Sequence, residues 1–497
     1  MQVQATALLI LCLGGCSARA VPARPLPVAD PSPALVVGGR EVDVLAVVDN
    51  SASPIDPEQY LPGYHALFRR LLVDSGCGSA NLDRCRVADT RVGVITSDLG
   101  AGPLVHGNCV PGGDGARLQD EPCIPGCTPP RQAWLSYAKG EVNVPETGAD
   151  AFSRFLQGFD CIANVKLGRC GFEHHLEAVR RALDPALRVN PGYLRDTALL
   201  VVAVAADEDD CSAARTELFS SQKTGIDDEL GPLTSFRCVE FGLECDEPLR
   251  PVGAKHSCRP AQDWLVPVGE YVRFLRALRP GRVLFFSLGG PPSPLVVGRD
   301  GVQPAVHASC NSVAGAADPG IRLKAVADAL GPQGLFNPAG TDACTPLLAP
   351  AFEILGQTIL EHLESQCLPA PLVTAAGGLV CSAGEEVAPG VTCSAGCLEL
   401  ADCVVEDVTT GSSASPRPVP RCPANLAGTD CAASCPCWRL LRMPELCAPQ
   451  QTGSPHALQV LRKTGLLAPS GTHAVATCRT TSAAWGSESF ATALQCQ

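Results

Sequence analysis

The chain has 497 residues, 46% hydrophobic and 18% charged, with a formal net charge of −13 and an isoelectric point near 5.2. That length implies about two to three domains, and the composition excludes wholesale disorder. An acidic chain lacks the basic face that phosphate binding requires, so nucleic acid is not an expected partner, and attachment to a membrane is not expected to be electrostatic.

Residues Ala5 to Leu13 form an apolar run well short of the ~20 residues that a spanning helix needs. It ends in Leu13-Gly14-Gly15-Cys16, which resembles the lipobox of bacterial lipoproteins. The resemblance implies cleavage before Cys16, acylation of its thiol and, with Ser17 following, sorting to the outer membrane. An ordinary secretory signal is the alternative. Ser17 to Leu35 holds five prolines and reads as a semi-extended tether.

Val42 to Val48 is β-branched and aliphatic, as a buried strand is, and it stops on Asp49-Asn-Ser51-Ala-Ser53. One carboxylate and two hydroxyls on one loop are hard oxygen donors, suited to a small divalent cation. Capping of the next helix is the alternative role. Asp56-Pro57-Glu58-Gln59 reads as that helix's start, with Tyr60, Tyr64, Leu67, Phe68 and Leu71 on one face. Arg91 to Asp98 is a second strand. Gly100 to Thr128 looks like a disulfide-stapled excursion. Ala151 to Phe159 is a short helix. Gly171 to Leu183 is another, with Phe172, Leu176, Val179 and Leu183 on one face. Within it, Glu173-His174-His175-Leu-Glu177 matches no zinc signature and reads as solvated helix positions.

Ala198 to Ala206 is apolar throughout, the mark of a central parallel strand. It ends in Asp207-Glu208-Asp209-Asp210-Cys211-Ser212. Adjacent acids repel one another, so this turn calls for either a counter-cation or bulk water. Leu230 to Cys258 is a second cysteine-stapled insert. Tyr271 to Leu278, the Leu323–Leu330 stretch and the Phe352–Leu363 stretch are helices, and Arg282 to Leu288 is a strand. This alternation predicts an α/β fold with a mostly parallel sheet and helices on both faces. From Cys367 onward the chain is cysteine-rich with few long apolar runs, so disulfides rather than a core are expected to hold it. The expected organisation is leader 1–16, Pro/Ala-rich tether 17–39, α/β domain 40–365 and disulfide-rich region 366–497.

The 27 cysteines suit an oxidising compartment. Zinc is the alternative, but Cys393-Ser-Ala-Gly-Cys397 and Cys435-Pro-Cys437 lack the paired spacing of zinc modules. Setting aside Cys12 and Cys16 leaves an odd number, so one thiol stays unpaired or pairs with another chain. Cys77 with Cys85, and Cys161 with Cys170, are close enough in sequence to pair.

The Asp49-x-Ser51-x-Ser53 loop resembles the metal-ion-dependent adhesion site of von Willebrand factor type A domains. Further segments resemble a group of uncharacterised predicted lipoproteins from myxobacteria and their relatives. These are Val92 to Gly100, Cys170-Gly-Phe-Glu173, Asp207 to Ser212 and Ser235-Phe-Arg-Cys238. The resemblance implies a doubly wound α/β fold and a metal held by Asp49, Ser51, Ser53 and Asp207. The ion expected is Mg²⁺, with Mn²⁺ or Ca²⁺ as alternatives. In the family's pattern a second loop supplies a Thr; here Leu167 stands at that place, beside Lys166 and Arg169. Asp98 is expected at the rim. The function implied is a lipid-anchored envelope protein that binds a protein or glycan through its metal. The alternative is a structural, disulfide-braced envelope lipoprotein with a vestigial site. No G-x-S-x-G or H-E-x-x-H motif supports a hydrolase, so no enzyme is expected.

Overall fold

Seven strands form the central sheet: β1 (Glu41–Val48), β2 (Asp89–Thr96), β3 (Leu135–Ala138), β4 (Glu141–Val142), β5 (Leu199–Ala205), β6 (Val283–Leu288) and β7 (Gly334–Phe336). Their spatial order is β7-β6-β5-β1-β2-β3-β4. The β7-β6-β5-β1-β2 stretch is parallel, and β3 and β4 add on antiparallel at one edge. The fold is thus mixed α/β around a mostly parallel sheet. Described in this computed structural model are residues 24–29, 35–37, 41–52, 55–74, 89–121, 125–138, 140–146, 148–222, 224–279, 281–409, 415–423, 426, 431, 434–443, 447, 454–462, 472–491 and 493–496.

The strands are buried on both faces because each face meets helices. On one side α1 (Pro57–Phe68), α2 (Ala151–Ala163) and α6 (Ala349–Glu364) pack Tyr64, Phe68, Phe159 and Phe352 against Val44, Ala46, Val201 and Phe286. On the other, α3 (His175–Leu183), α4 (Val268–Leu278) and α5 (Ile321–Leu330) pack Val179, Tyr271 and Val326 against Leu45, Val47, Val202 and Phe285. The alternation of faces along β1 is the period-2 pattern of any strand. The helix α1 starts as the sequence predicts: the Glu58 N–H donates to Asp56 Oδ1 (2.8 Å), with Pro57 at the first position. Where α1 meets α6, a Cβ on Gly63 would lie 2.4 Å from the Phe352 ring, so glycine sets that approach.

Eleven disulfides lie among the described residues. The 100–128 excursion is stapled to the body by Cys109–Cys170 and Cys127–Cys161. The expected Cys161–Cys170 pair is therefore wrong: both cysteines flank the loop after α2, and each faces the excursion rather than the other. The 230–258 insert is held by Cys211–Cys238 and Cys245–Cys258. Cys77 and Cys85 lie outside the described residues, as do Cys12, Cys16 and Cys123.

After α6 the chain forms small antiparallel sheets from β8 (Ser365–Cys367), β9 (Cys403–Thr409), β10 (Cys437–Arg442), β11 (His456–Leu461) and β12 (Thr472–Cys478). All twelve cysteines from Cys367 onward are paired. The region also has a core of its own, with Val37, Leu372, Val405, Trp438, Leu458 and Ala474 packed together. Its short strands bury one residue in two, which is why the sequence shows no long apolar run. Part of the stretch expected to be a tether belongs here: Leu35–Val37 pairs with β12, and Val28–Ala29 with Thr480–Thr481.

Candidate functional site

Order reverses along the parallel sheet at β1, whose neighbours are β2 on one side and β5 on the other. Open α/β sheets leave a crevice beyond the carboxyl ends of the strands at such a place. Asp49 follows β1 there and Asp207 follows β5, both buried. Asp49 Oδ1 accepts the Ser51 N–H (2.8 Å), which folds the loop back and aims the Ser51 hydroxyl inward. Asp49 Oδ2, Ser51 Oγ and Asp207 Oδ1 are buried without a hydrogen-bond partner. Asp49 and Asp207 touch through their carboxyls, and burial with that contact raises the Asp207 pKa far above the usual range. The sequence prediction of these residues meeting at one point therefore agrees with the geometry. Ser53 and Cys16 lie outside the described residues.

Neighbouring loops fix this arrangement. Asp114 accepts from Asn50 Nδ2 (2.9 Å) and Thr96 Oγ1 (2.7 Å), tying the Asp49 loop to the end of β2. Gly168 and Arg169 donate their N–H groups to Ser51 O and Asn50 O, both at 2.9 Å. The 165–170 loop thus sits where the sequence placed it, but it contributes backbone rather than a hydroxyl. Leu167 is 44% exposed and lines a cleft of about 540 Å³ with Ala52, Asp56, Asp207, Glu208 and Asp318. Asp98 does not line this cleft. It is buried, and its Oδ1 accepts the Gly100 N–H (2.8 Å), because the turn after β2 uses it as an internal cap.

The four acids after β5 divide into two pairs. Asp209 accepts the N–H groups of Arg322 (2.7 Å) and Leu323 (3.2 Å), capping α5 from another loop. Asp210 accepts the Leu176 N–H (2.9 Å) at the start of α3 and the Ser212 hydroxyl (2.6 Å), and it pairs with the buried Arg322 (3.2 Å). These two are structural. Asp207 and Glu208 have no such cation. A solvated acidic turn is thus ruled out for Asp207 and Asp210, which are buried.

Sequence reasoning missed Glu173. It leads into α3, is 1% exposed, and its Oε1 lacks a partner. Burial first, then the charges of Glu208, Asp49 and Asp207, hold its pKa well above the usual range. Burial, then Asp318 and Asp49, likewise raises Glu208, whose carboxyl touches that of Glu173. The reading of Glu173 to Glu177 as solvated is corrected throughout. His174 Nε2 meets Gly100 O (2.8 Å); Glu177 is held by Arg180 (2.7 Å) and Arg181 (3.1 Å). His175 is fully buried, with Nε2 4.0 Å from Asp49 Oδ2 and no partner for either nitrogen. Burial lowers the pKa of both histidines. The helix presents this turn to the acid loop that caps it, a tertiary choice that its own periodicity does not reveal.

The donors present fit a hard divalent cation: carboxylate and hydroxyl oxygens, buried, convergent and unpartnered. Two other ligand clusters, Cys381–Cys397–Cys496 and Cys310–Asp342–Cys344, do not fit a metal, because every sulfur in them is in a disulfide. Among the described residues no helix is long and apolar enough to cross a membrane.

No known family model matches the chain, and no curated protein is similar to it. Among solved structures, the pilus adhesin SpaC from Lactobacillus rhamnosus GG is similar over 90% of this chain, at 11% identity and a TM-score of 0.26. This chain spans 41% of the length of that one. A likeness so loose leaves fold and function to be argued from the chain's own residues.

Proposed function

We propose that the chain is a doubly wound, von Willebrand factor A-type protein that binds a protein or glycan partner through a divalent cation at the Asp49–Asp207 site. The observation that carries this reading is the meeting of Asp49 and Asp207, from adjacent strands, with buried unpartnered oxygens beneath an open cleft. Asp49, Ser51 and Asp207 hold the ion, Mg²⁺ by preference, with Ser53 on the same loop. The cation supplies positive charge and a coordination position that exchanges with solvent. The chain's residues do the rest: the Asp114 and Gly168 hydrogen bonds fix the loop, and the cleft excludes most water from it.

Cys16 is the lipid attachment point in this reading, and the location is the outer membrane of a bacterial envelope. Two or more acyl chains anchor stably where one does not. The disulfides support an extracytoplasmic setting. The protein is not an enzyme. A Ser454–His456–Glu385 line exists, with Ser454 Oγ 3.4 Å from His456 Nδ1 and His456 Nε2 3.1 Å from Glu385. Ser454 and His456 have no exposed surface, so no substrate reaches them.

Leu167 favours a second reading, a braced structural lipoprotein whose metal site is vestigial, since one oxygen ligand of the pattern is missing. Calorimetric titration of the metal-free protein with Mg²⁺, Mn²⁺ and Ca²⁺ decides. Binding heat that disappears in Asp49→Ala supports the adhesion-type site. Equal traces for the two proteins would leave only the structural reading.

A further inference from the structure

Asp49 and Asp207 are two of four carboxyls that converge beyond the sheet. Glu173 and Glu208 form a second touching pair beside them. Glu173 Oε1 is buried, unpartnered and part of the wall of a cavity of about 320 Å³. Glu208 and Asp318 line both this cavity and the cleft over Asp207, so the two openings meet at these acids. Arg322 is in the cavity wall, but Asp210 balances its charge at 3.2 Å. One divalent ion on Asp49 and Asp207 offsets two negative charges and leaves the other two uncompensated. Two like charges ~4 Å apart repel by roughly 4 kcal/mol at an effective dielectric near 20. A second pair of oxygens with no hydrogen-bond donor aimed at it has the same need as the first.

We propose that the chain holds a second hard divalent cation on Glu173 and Glu208, with Asp318 at its rim, next to the ion on Asp49, Ser51 and Asp207. This inference rests on the reading of the first site. Its donors are all carboxylates, which select Mg²⁺, Mn²⁺ or Ca²⁺ over zinc or copper. The second ion also explains how the Leu167 position is tolerated: Glu173 brings the charge that a hydroxyl from the 165–170 loop would not.

The test is equilibrium dialysis of the full, oxidised chain against Mn²⁺, with metal counted by mass spectrometry and low-temperature electron paramagnetic resonance on the same samples. Two ions per chain with a spin-coupled spectrum are expected. Glu173→Gln should hold one ion with an isolated-ion spectrum, whereas Asp49→Asn should lose the first. If the wild type binds a single ion that Asp49→Asn loses and Glu173→Gln keeps, the first site stands and the second falls. Two ions retained by Glu173→Gln would also overturn the second site, and no bound ion would overturn both. Should Glu173→Gln fail to fold, as judged by near-ultraviolet circular dichroism, the wild-type spectrum alone decides: uncoupled manganese sinks the proposal.

Discussion

β1 carries a buried aspartate near each end, and the chain treats the two differently. Asp43 has no exposed surface, yet Arg195 reaches it with its backbone N–H (2.8 Å) and its Nε (2.8 Å), and Arg195 also pairs with Asp89 (2.8 Å). Asp49, six residues on, meets other acids and an unpartnered histidine instead. The same division recurs within one loop, where Asp210 has Arg322 and Asp207 has none. Where a buried carboxylate serves the fold, the chain supplies a cation or a row of N–H groups. Where it supplies neither, the compensating charge must come from protons or from outside the chain.

The comparison breaks most visibly by removing the internal cation. Arg195→Leu should cost ~3–5 kcal/mol, since it strands a buried charge. Asp49→Asn should cost nothing, or stabilise, in chelator-treated protein. Urea melts at neutral pH measure both, and a large loss for Asp49→Asn without metal would mean that Asp49 is structural too. The next effect is ligation. Mg²⁺ or Mn²⁺ at a hundredfold excess over its dissociation constant should add about 2.7 kcal/mol of stability, absent in Asp49→Ala. Dividing the acid loop gives a smaller change: Asp209→Ala should cost about 1 kcal/mol as a lost helix cap, with cation binding unaltered.

The pH dependence sharpens the contrast by sign. Glu173, Asp207 and Glu208 are raised by burial and by one another, and burial with Asp209 pushes Asp318 up to about 7. A raised carboxyl contributes its stability below the unfolded value near ~4 and loses it as pH climbs through the folded value. Metal-free protein should therefore lose stability from about pH 4 through pH 7 and beyond, and saturating cation should flatten that slope. Glu385, in the C-terminal region, runs the other way. Burial would raise it, but His456 and Arg442 pull it below its ordinary value. Its contribution is present above ~4.5 and fades as pH falls further. Melting temperatures across pH 3 to 8, with chelator and with Mg²⁺, separate the two trends; a cation-independent profile would speak against the site.

Much of the α/β body was legible because its strands are buried on both faces and its helices on one. Val42 to Val48 and Ala198 to Ala206 could hardly be anything but parallel strands, and a carboxylate at the end of each made the site readable. The three-residue strand Gly334–Phe336 and the hairpin of Leu295–Asp300 with Gln303–His307 carry too few residues to show a period. The core of the C-terminal region was hidden for a related reason, since it is assembled from single residues of many short strands.

The sequence alone determined the order of strands and helices, the oxidised state that 27 cysteines imply, and the oxygen-rich loop at Asp49, because these follow from local patterning and composition. Only the tertiary structure decided which cysteines pair, that Asp209 and Asp210 cap helices while Asp207 and Glu208 stay open, and that Glu173 joins them. Each of those outcomes depends on which distant group arrives opposite a side chain, and no periodicity along one segment encodes that.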